Sequence, residues 1–310
     1  MKVYRNIDDF KDAGQTVVTT GTFDGVHLGH RKILRELNEH ARRDGLSSTL
    51  FTLYPHPRLV LNPDAKIQLL NTLDERIELL EQTGLDNLII YPFTLGFSRL
   101  SAVEYVRDIL MNGLHAKKVV VGYDHHFGKN REGDFDDLVE LGQVYDFEVV
   151  KIGPKEIQGV NLSSTKIRKA LLDGDIDTAY KYLGYRYFIS GTVVEGKQLG
   201  RSIGFPTANV TINDEHKLLP KDGVYAVMVT LDGKKIKGMM NIGMRPTVQS
   251  NGRSVEVHMF NFDNHIYGKP LRIELVARMR DEVRFDNLDQ LREQLNKDKS
   301  LAEELLMHEI

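Results

Sequence analysis

The sequence of 310 residues has no cysteine. Disulfides, thiolate nucleophiles and cysteine-ligated metal sites are therefore excluded, and a reducing compartment fits. It has no basic excess either, since 41 lysines and arginines against 44 aspartates and glutamates leave a net charge of −3. A nucleic-acid surface ordinarily shows a strong positive balance, so no nucleic-acid partner is expected and any phosphate must be bound locally. No apolar run approaches the length of a membrane-spanning helix, which argues against a membrane partner and makes transport the least supported class. Met1 to Phe10 carry charges throughout and lack the apolar core of a signal peptide, so the expected location is the cytoplasm. What is present, 41% hydrophobic and 27% charged residues, suits a soluble globular protein long enough for two domains with separate cores.

The chain is organised around Gly21-Thr22-Phe23-Asp24-Gly25-Val26-His27-Leu28-Gly29-His30. The β-branched run Thr16 to Thr20 before it reads as a buried strand, and apolar residues return at helical spacing from Ile33 to Leu37. Such a strand-to-helix turn exposes backbone N–H groups at a helix N-terminus, where glycines allow close approach and the helix dipole favours an anion. His27 and His30 can both face that anion. The alternative is a glycine-rich surface turn with two incidental histidines. Strand, glycines, histidine pair and helix in register count against it.

Downstream, Leu46 to Leu53 reads as a strand closed by Tyr54-Pro55-His56-Pro57, whose prolines fix a rigid loop. On this pattern His56 is structural or functional. Asp74 to Gln82 and Ala102 to Leu110 read as helices, and Asn87 to Tyr91, Lys118 to Gly122 and Asp146 to Ile152 as strands. This alternation argues for an α/β fold, a doubly wound parallel sheet with helices on both faces. The polar loop from Gly122 to Asp134 carries Asp124, His125 and His126. Adjacent histidines are not a typical zinc spacing and no third ligand is evident, so a base- or sugar-binding loop is favoured over a metal site. Asn161 to Arg168 opens a further helix. One hydroxyl suffices for a cap, yet Ser163, Ser164 and Thr165 stand together with Lys166 and Arg168, a suitable site for a triphosphate.

From Tyr185 the pattern changes to short alternating segments separated by turn signals such as Leu231-Asp232-Gly233-Lys234. These predict a small antiparallel β-barrel, with an amphipathic helix from Leu288 to Leu306 packed on it through its leucines. The expected domains are 1–183 and 184–310. In the barrel, Gly196 to Asn209 is a second glycine-rich stretch that can wrap phosphates. Thr207 and Asn209 stand two apart, so in an extended segment their oxygens face the same way, as ligands of magnesium require. Glu256 and His258 share one face of a strand, and a carboxylate in a barrel mouth can accept a proton from a hydroxyl nucleophile. A solvated outer face is the alternative. Lys297-Asp298-Lys299 reads as a solvated charge run.

In order and spacing, several motifs together resemble the bacterial bifunctional riboflavin kinase/FAD synthetase family over nearly the whole chain. They are the H-x-G-H ending at His30, Pro55-His56-Pro57, Ser163 to Arg168, Gly204 to Asn209, Asn241 to Thr247 and Met279 to Phe285. The resemblance implies an N-terminal FMN adenylyltransferase domain of nucleotidyltransferase-like fold and a C-terminal riboflavin kinase domain built on the barrel. Riboflavin would become FMN and then FAD at the expense of ATP with Mg2+. By resemblance Glu256 is the general base, and Thr207 and Asn209 hold magnesium and nucleotide phosphates beside Gly200 and Gly204. Arg280, Glu282 and Phe285 line the flavin side. In the adenylyltransferase, His27 and His30 would hydrogen-bond the phosphates from a turn formed by Gly21, Thr22, Phe23, Asp24 and Gly29. Ser163, Ser164, Thr165 and Arg168 would hold the leaving pyrophosphate, and Asp124 would serve the flavin. Family members often carry an aromatic residue and then arginine where this chain has His125 and His126. Rival readings are a kinase with a weak or lost adenylyltransferase and a non-catalytic flavin- or nucleotide-binding regulator. Oligomeric state, a homo-oligomer included, is left open.

Overall fold

The structure, a computed structural model, describes residues 1–10, 14–64, 66–153, 155–157, 160–196, 200, 203–244 and 252–309. Lys197 to Leu199 and Arg201-Ser202 of the second glycine-rich stretch, and Arg245-Pro246-Thr247, lie outside the described residues. The chain divides into two compact units, Met1–Ser164 and Thr165–Ile310.

In the first unit β1 (Lys2–Tyr4), β2 (Thr16–Thr20), β3 (Ser47–Tyr54), β4 (Asn87–Pro92), β5 (Ala116–Gly122) and β6 (Glu148–Ile152) form one sheet in the order β1-β4-β3-β2-β5-β6. Every pairing is parallel. The central strands are apolar or β-branched on both faces because both faces are covered; Val17, Val18, Leu50 and Val120 have no exposed surface. From β2 the chain builds outward through β3 and β4, then crosses to β5 on the other side. The connection after β2 therefore sits where the strand order reverses, the usual ligand crevice of open parallel sheets. It leads into α1 (Leu28–Asp44), which buries Leu34, Leu37, Asn38 and Ala41 at helical spacing and ends on left-handed Gly45, φ 67°. The helix α3 (Leu73–Glu81) carries a complete capping box on Thr72 and Glu75.

Three segments fold differently from what their pattern suggests. Pro57 starts the short helix α2 (Pro57–Leu61) instead of ending a loop, since proline at the first helical position loses no intrahelical hydrogen bond. His56 caps it, accepting from the Arg58 N–H at 3.2 Å. Ala102 to Leu110 begins as α4 (Ala102–Glu104) and continues as a π-helix over Tyr105–Met111, which buries Tyr105, Val106, Ile109 and Leu110. The last strand begins at Glu148 and not at Asp146, because Asp146 is the left-handed cap, φ 59°, of α5 (Phe135–Tyr145). That helix, absent from the sequence reading, buries Leu138 and Gly142, packs Phe135, Leu141 and Tyr145 against the core and starts on a capping box at Asp134. A small hairpin, β7 (Glu156–Ile157) with β8 (Val160–Asn161), precedes α6 (Ser164–Asp173) and α7 (Ile176–Leu183).

The second unit closes β9 (Phe188–Val194), β10 (Ala208–Thr211), β11 (Gly223–Leu231), β12 (Lys234–Met244), β13 (Arg253–Met259) and β14 (Pro270–Arg280) into a barrel, β10-β13-β12-β11-β14-β9. All its pairings are antiparallel. Asp232 and Gly233 form the two-residue turn between β11 and β12, both with positive φ, which matches the right-handed twist of the strands. The strand β10 begins within the last two residues of the glycine-rich stretch, Ala208 and Asn209. The C-terminal helix α8 (Leu288–Leu305) packs through Leu295, Ala302 and the following Leu306 against barrel residues such as Met228 and Met239. Its leucines are not the buried stripe expected, for Leu288, Leu301 and Leu305 are exposed while Asp298 is buried. The solvated run at Lys297-Asp298-Lys299 is corrected accordingly: Asp298 turns inward because Arg280 pairs with it. Gly45→Ala places a Cβ on a left-handed residue and is expected to cost about 1 kcal/mol of first-unit stability, measured by urea unfolding followed by circular dichroism.

Candidate active sites

The turn after β2 is held by buried polar contacts. Asp24 is buried, and its carboxylate accepts from the backbone N–H groups of Leu70 and Asn71 at 3.0–3.2 Å. The side chain expected to meet phosphate therefore anchors the turn to the segment before α3. The Thr22 carbonyl accepts from Arg76 of α3, itself buried. Phe23 and Val26, at φ 48° and 34°, occupy left-handed backbone that their side chains disfavour. Strain of this kind, about 1–3 kcal/mol per residue, clusters at functional sites.

His27 is the N-cap of α1 and accepts the His30 N–H on its Nδ1 at 3.2 Å, which places the imidazole proton on Nε2. The two rings stack at 3.7 Å, and Phe23 covers His30 at 4.6 Å. Gly29 is required by this stack, because a Cβ there would lie 3.0 Å from the His27 ring. Gly21 is similarly confined, 3.1 Å from the Phe23 ring. Burial first, then the neighbouring His27 and Arg76, hold the His30 imidazolium pKa well below 6.5. His30 Nδ1 is buried with no hydrogen-bond partner among the described residues. No acidic side chain occupies the first turn of α1, which leaves the positive end of its dipole uncompensated. Ser164 joins this turn by donating its hydroxyl to the Asp24 carbonyl at 2.8 Å, with Ser163 just before it. Thr165 and Arg168 follow within the first turns of α6, exposed and half-buried respectively. Asp124 is exposed in the turn after β5. His125 beside it stacks on Phe127 and is pushed down to about 4 by burial and by His126.

In the barrel, strand register sets the site. Glu256 pairs directly with Asn209 on one side and Asn241 on the other; Val224 faces Asn241, and Arg280 faces Val224. Directly paired residues point to the same face, so these five form one girdle on five strands. They line a cavity of about 330 Å³ together with Gly200, Thr207, Glu282 and Phe285, so it gathers every expected kinase residue except Gly204. Thr207 Oγ1 lies 3.5 Å from Glu256 Oε2, and Asn241 donates to Glu282 at 2.9 Å. Gly196 lies against the Asn209 amide and Gly243 against the Glu282 carboxylate, with no room for a Cβ at either. Gly204, at φ 86°, turns the chain toward Thr207. His258 also lines the cavity and donates to the Pro206 carbonyl at 2.7 Å, and burial lowers its pKa. Met239, Met240, Val283, Leu291 and Leu295 make the opposite wall apolar. A second hollow of about 90 Å³ opens on the other side of β10 and β13, where Phe262, His265 and Tyr267 stand beside Pro206; Thr207 borders both.

Comparison with known proteins matches two stretches of the chain to two enzyme families. Residues 9–166 match the model of FAD synthetase and residues 183–306 that of riboflavin kinase. The bifunctional riboflavin kinase/FMN adenylyltransferase of Escherichia coli (strain K12) is 38% identical over 98% of this chain and 97% of its own. The chain belongs to the bifunctional riboflavin kinase/FMN adenylyltransferase family. A Listeria monocytogenes member is 36% identical over 94% of this chain and 92% of its own. A crystal structure described as a macrolide-efflux protein from Streptococcus pneumoniae has a TM-score of 0.87 at 33% identity, covering 97% of this chain and 98% of that one. Among the described residues of this family member, no helix is long and apolar enough to cross a membrane.

Sequence reasoning missed Arg76, Asn241 as a neighbour of Glu256, the Phe262 to Tyr267 hollow, and Asp298. Asn241 was within reach, because a two-residue turn at Asp232-Gly233 fixes the pairing of Val224 with Asn241. Neutral burial of His30 has a consequence for stability. Its folded pKa lies below the unfolded value of 6.5, so the unfolded chain binds the extra proton and first-unit stability falls as pH drops below about 6.5. His125 extends the same trend toward pH 4. Thermal melting between pH 7.5 and pH 5 checks this, and His30→Gln is expected to flatten the dependence.

Proposed function

We propose that this chain makes FMN from riboflavin and ATP in its barrel and FAD from FMN and ATP in its parallel-sheet unit. Glu256, held between Asn209 and Asn241 at the polar end of a cavity with an apolar wall, carries the kinase half. The flat apolar flavin ring suits the wall of Met239, Phe285 and Leu295, and its polyol suits the girdle. Arg280 and Glu282 frame that side. Glu256 takes the proton of the terminal ribityl hydroxyl as its oxygen attacks the γ-phosphorus of ATP, whose bond to the β,γ-bridging oxygen breaks and releases ADP. Thr207 borders both hollows, which makes it the meeting point of the two substrates: flavin in the larger, the base and sugar of ATP toward Tyr267 in the smaller. The oxygen donors of Thr207 and Asn209 are hard ligands that fit magnesium. Thr207 and Asn209 would hold it, and when bound it supplies neutralisation of phosphate charge.

For adenylyl transfer, the FMN phosphate is already ionised near neutral pH, so no strong base is required; orientation and charge stabilisation suffice. The His27 Nε2–H, the His30 ring and the backbone N–H groups opening α1 bind the α-phosphate as charge develops there. Gly21, Thr22, Phe23, Asp24 and Gly29 shape this turn. Ser163, Ser164, Thr165 and Arg168 bind the departing pyrophosphate, and Asp124 contacts the flavin. The functional boundary falls at Leu183, where α7 ends, and the place of action is the cytoplasm.

The purified protein with riboflavin, excess ATP and magnesium, followed by chromatography, tests this reading: FMN appears first and FAD later. FMN that accumulates, and is not adenylylated when supplied directly, would remove the second half. Glu256→Gln is expected to lower FMN formation at least about 100-fold while supplied FMN is still converted to FAD. His30→Ala is expected to reverse the pattern, costing about 100-fold in FAD formation with FMN formation intact. Loss of both activities in either folded variant contradicts two separate sites.

A further inference from the structure

Asp298 is 3% exposed, yet nothing in the chemistry above uses it. A carboxylate is rarely buried unless it is paired, and this one is held by a fork. Arg280 Nε donates to its two oxygens at 2.9 and 3.1 Å, and Nη2 donates at 2.6 Å. Gln294, one turn earlier on α8, adds a donor at 2.9 Å. The remaining side of the guanidinium is also engaged, since Nη1 donates to the Asp281 carbonyl at 2.9 Å. An arginine kept for a ligand phosphate would present its fork to the cavity, whereas here the fork faces inward.

Arg280 is the last residue of β14, paired with Val224 in the girdle. The chain that follows supplies Glu282, Val283 and Phe285 to the cavity, and Glu282 is latched to Asn241 beside Glu256. The helix that carries Asp298 supplies Leu291 and Leu295 to the same cavity. We propose that Asp298 is a positioning residue for riboflavin phosphorylation: through Arg280 it fixes the 281–285 strap and α8 against each other, and so sets the width of the flavin slot. Arg280 thereby contributes shape rather than charge to flavin binding. The smaller hollow at Tyr267 shares none of these residues, so ATP binding is spared.

The proposal rests on the kinase reading, and steady-state kinetics of the full-length protein test it. Asp298→Ala is expected to raise the riboflavin KM about tenfold or more, while the ATP KM and adenylylation of supplied FMN change by less than about twofold. Asp298→Asn keeps an acceptor for Arg280 and recovers part of the loss. Arg280→Ala added to Asp298→Ala raises the riboflavin KM little further, because both act through one contact. An unchanged riboflavin KM in Asp298→Ala, or an equal rise for riboflavin and ATP, overturns the proposal. If the alanine variant does not fold, the asparagine variant decides: a rise confined to riboflavin supports it, and no rise or a joint rise overturns it. A wild-type protein that forms no FMN overturns the kinase reading instead. Riboflavin affinity by flavin fluorescence quenching would then show separately whether Asp298 shapes the slot.

Discussion

A carboxylate at position 256 becomes useful because ladder hydrogen bonds hold Asn209 and Asn241 directly opposite it. Neither amide is adjacent to Glu256 in the chain: Asn241 reaches it through the pairing of consecutive strands, and Asn209 through the pairing of β10 with β13. The glycines then follow as consequences. Position 196 must leave room for the Asn209 amide, and position 243 for the Glu282 carboxylate. Polar groups occupy one level while apolar side chains form the wall, so a single slot has a polar end and an apolar end.

The first unit solves a different problem with different means. Its site is a helix N-terminus placed at the reversal of strand order, and the turn before it is strained at Phe23 and Val26. Buried contacts offset that strain: Asp24 with the backbone at Leu70 and Asn71, Arg76 with the Thr22 carbonyl, and Ser164 with the Asp24 carbonyl. These tie two sequence-distant segments, 70–76 and Ser164, to one loop. The His27 to His30 contact fixes the tautomer, so the neutral His27 imidazole carries its proton on Nε2.

Much of this was legible in the sequence because it is local. The strand, glycines and histidine pair at 16–30 follow from periodicity and turn chemistry, as does the hairpin at Asp232-Gly233. The alternation that puts Glu256 and His258 on one face is equally local, and both line the cavity. What escaped was set by partners far along the chain. Asp298 looked solvated between two lysines, and only Arg280, 18 residues earlier, explains its burial. Asp24 looked like a ligand contact, yet its carboxylate serves the backbone 46 residues on. α5 was legible yet overlooked, since Phe135, Leu138, Leu141 and Tyr145 recur at helical spacing behind the capping residue Asp134.

The girdle has a further consequence for how the barrel can change. Side chains alternate along β13, so Val255 and Val257 flank Glu256 on the opposite face. Removal or addition of one residue between Ser254 and Val257 would exchange the carboxylate for a valine while leaving composition almost intact. With the role proposed for Glu256, a change in chain length within this strand would remove the carboxylate from the cavity altogether. The girdle thus depends on a fixed count of residues along the strand as much as on residue types, whereas a change of length in a connection between strands leaves that count intact.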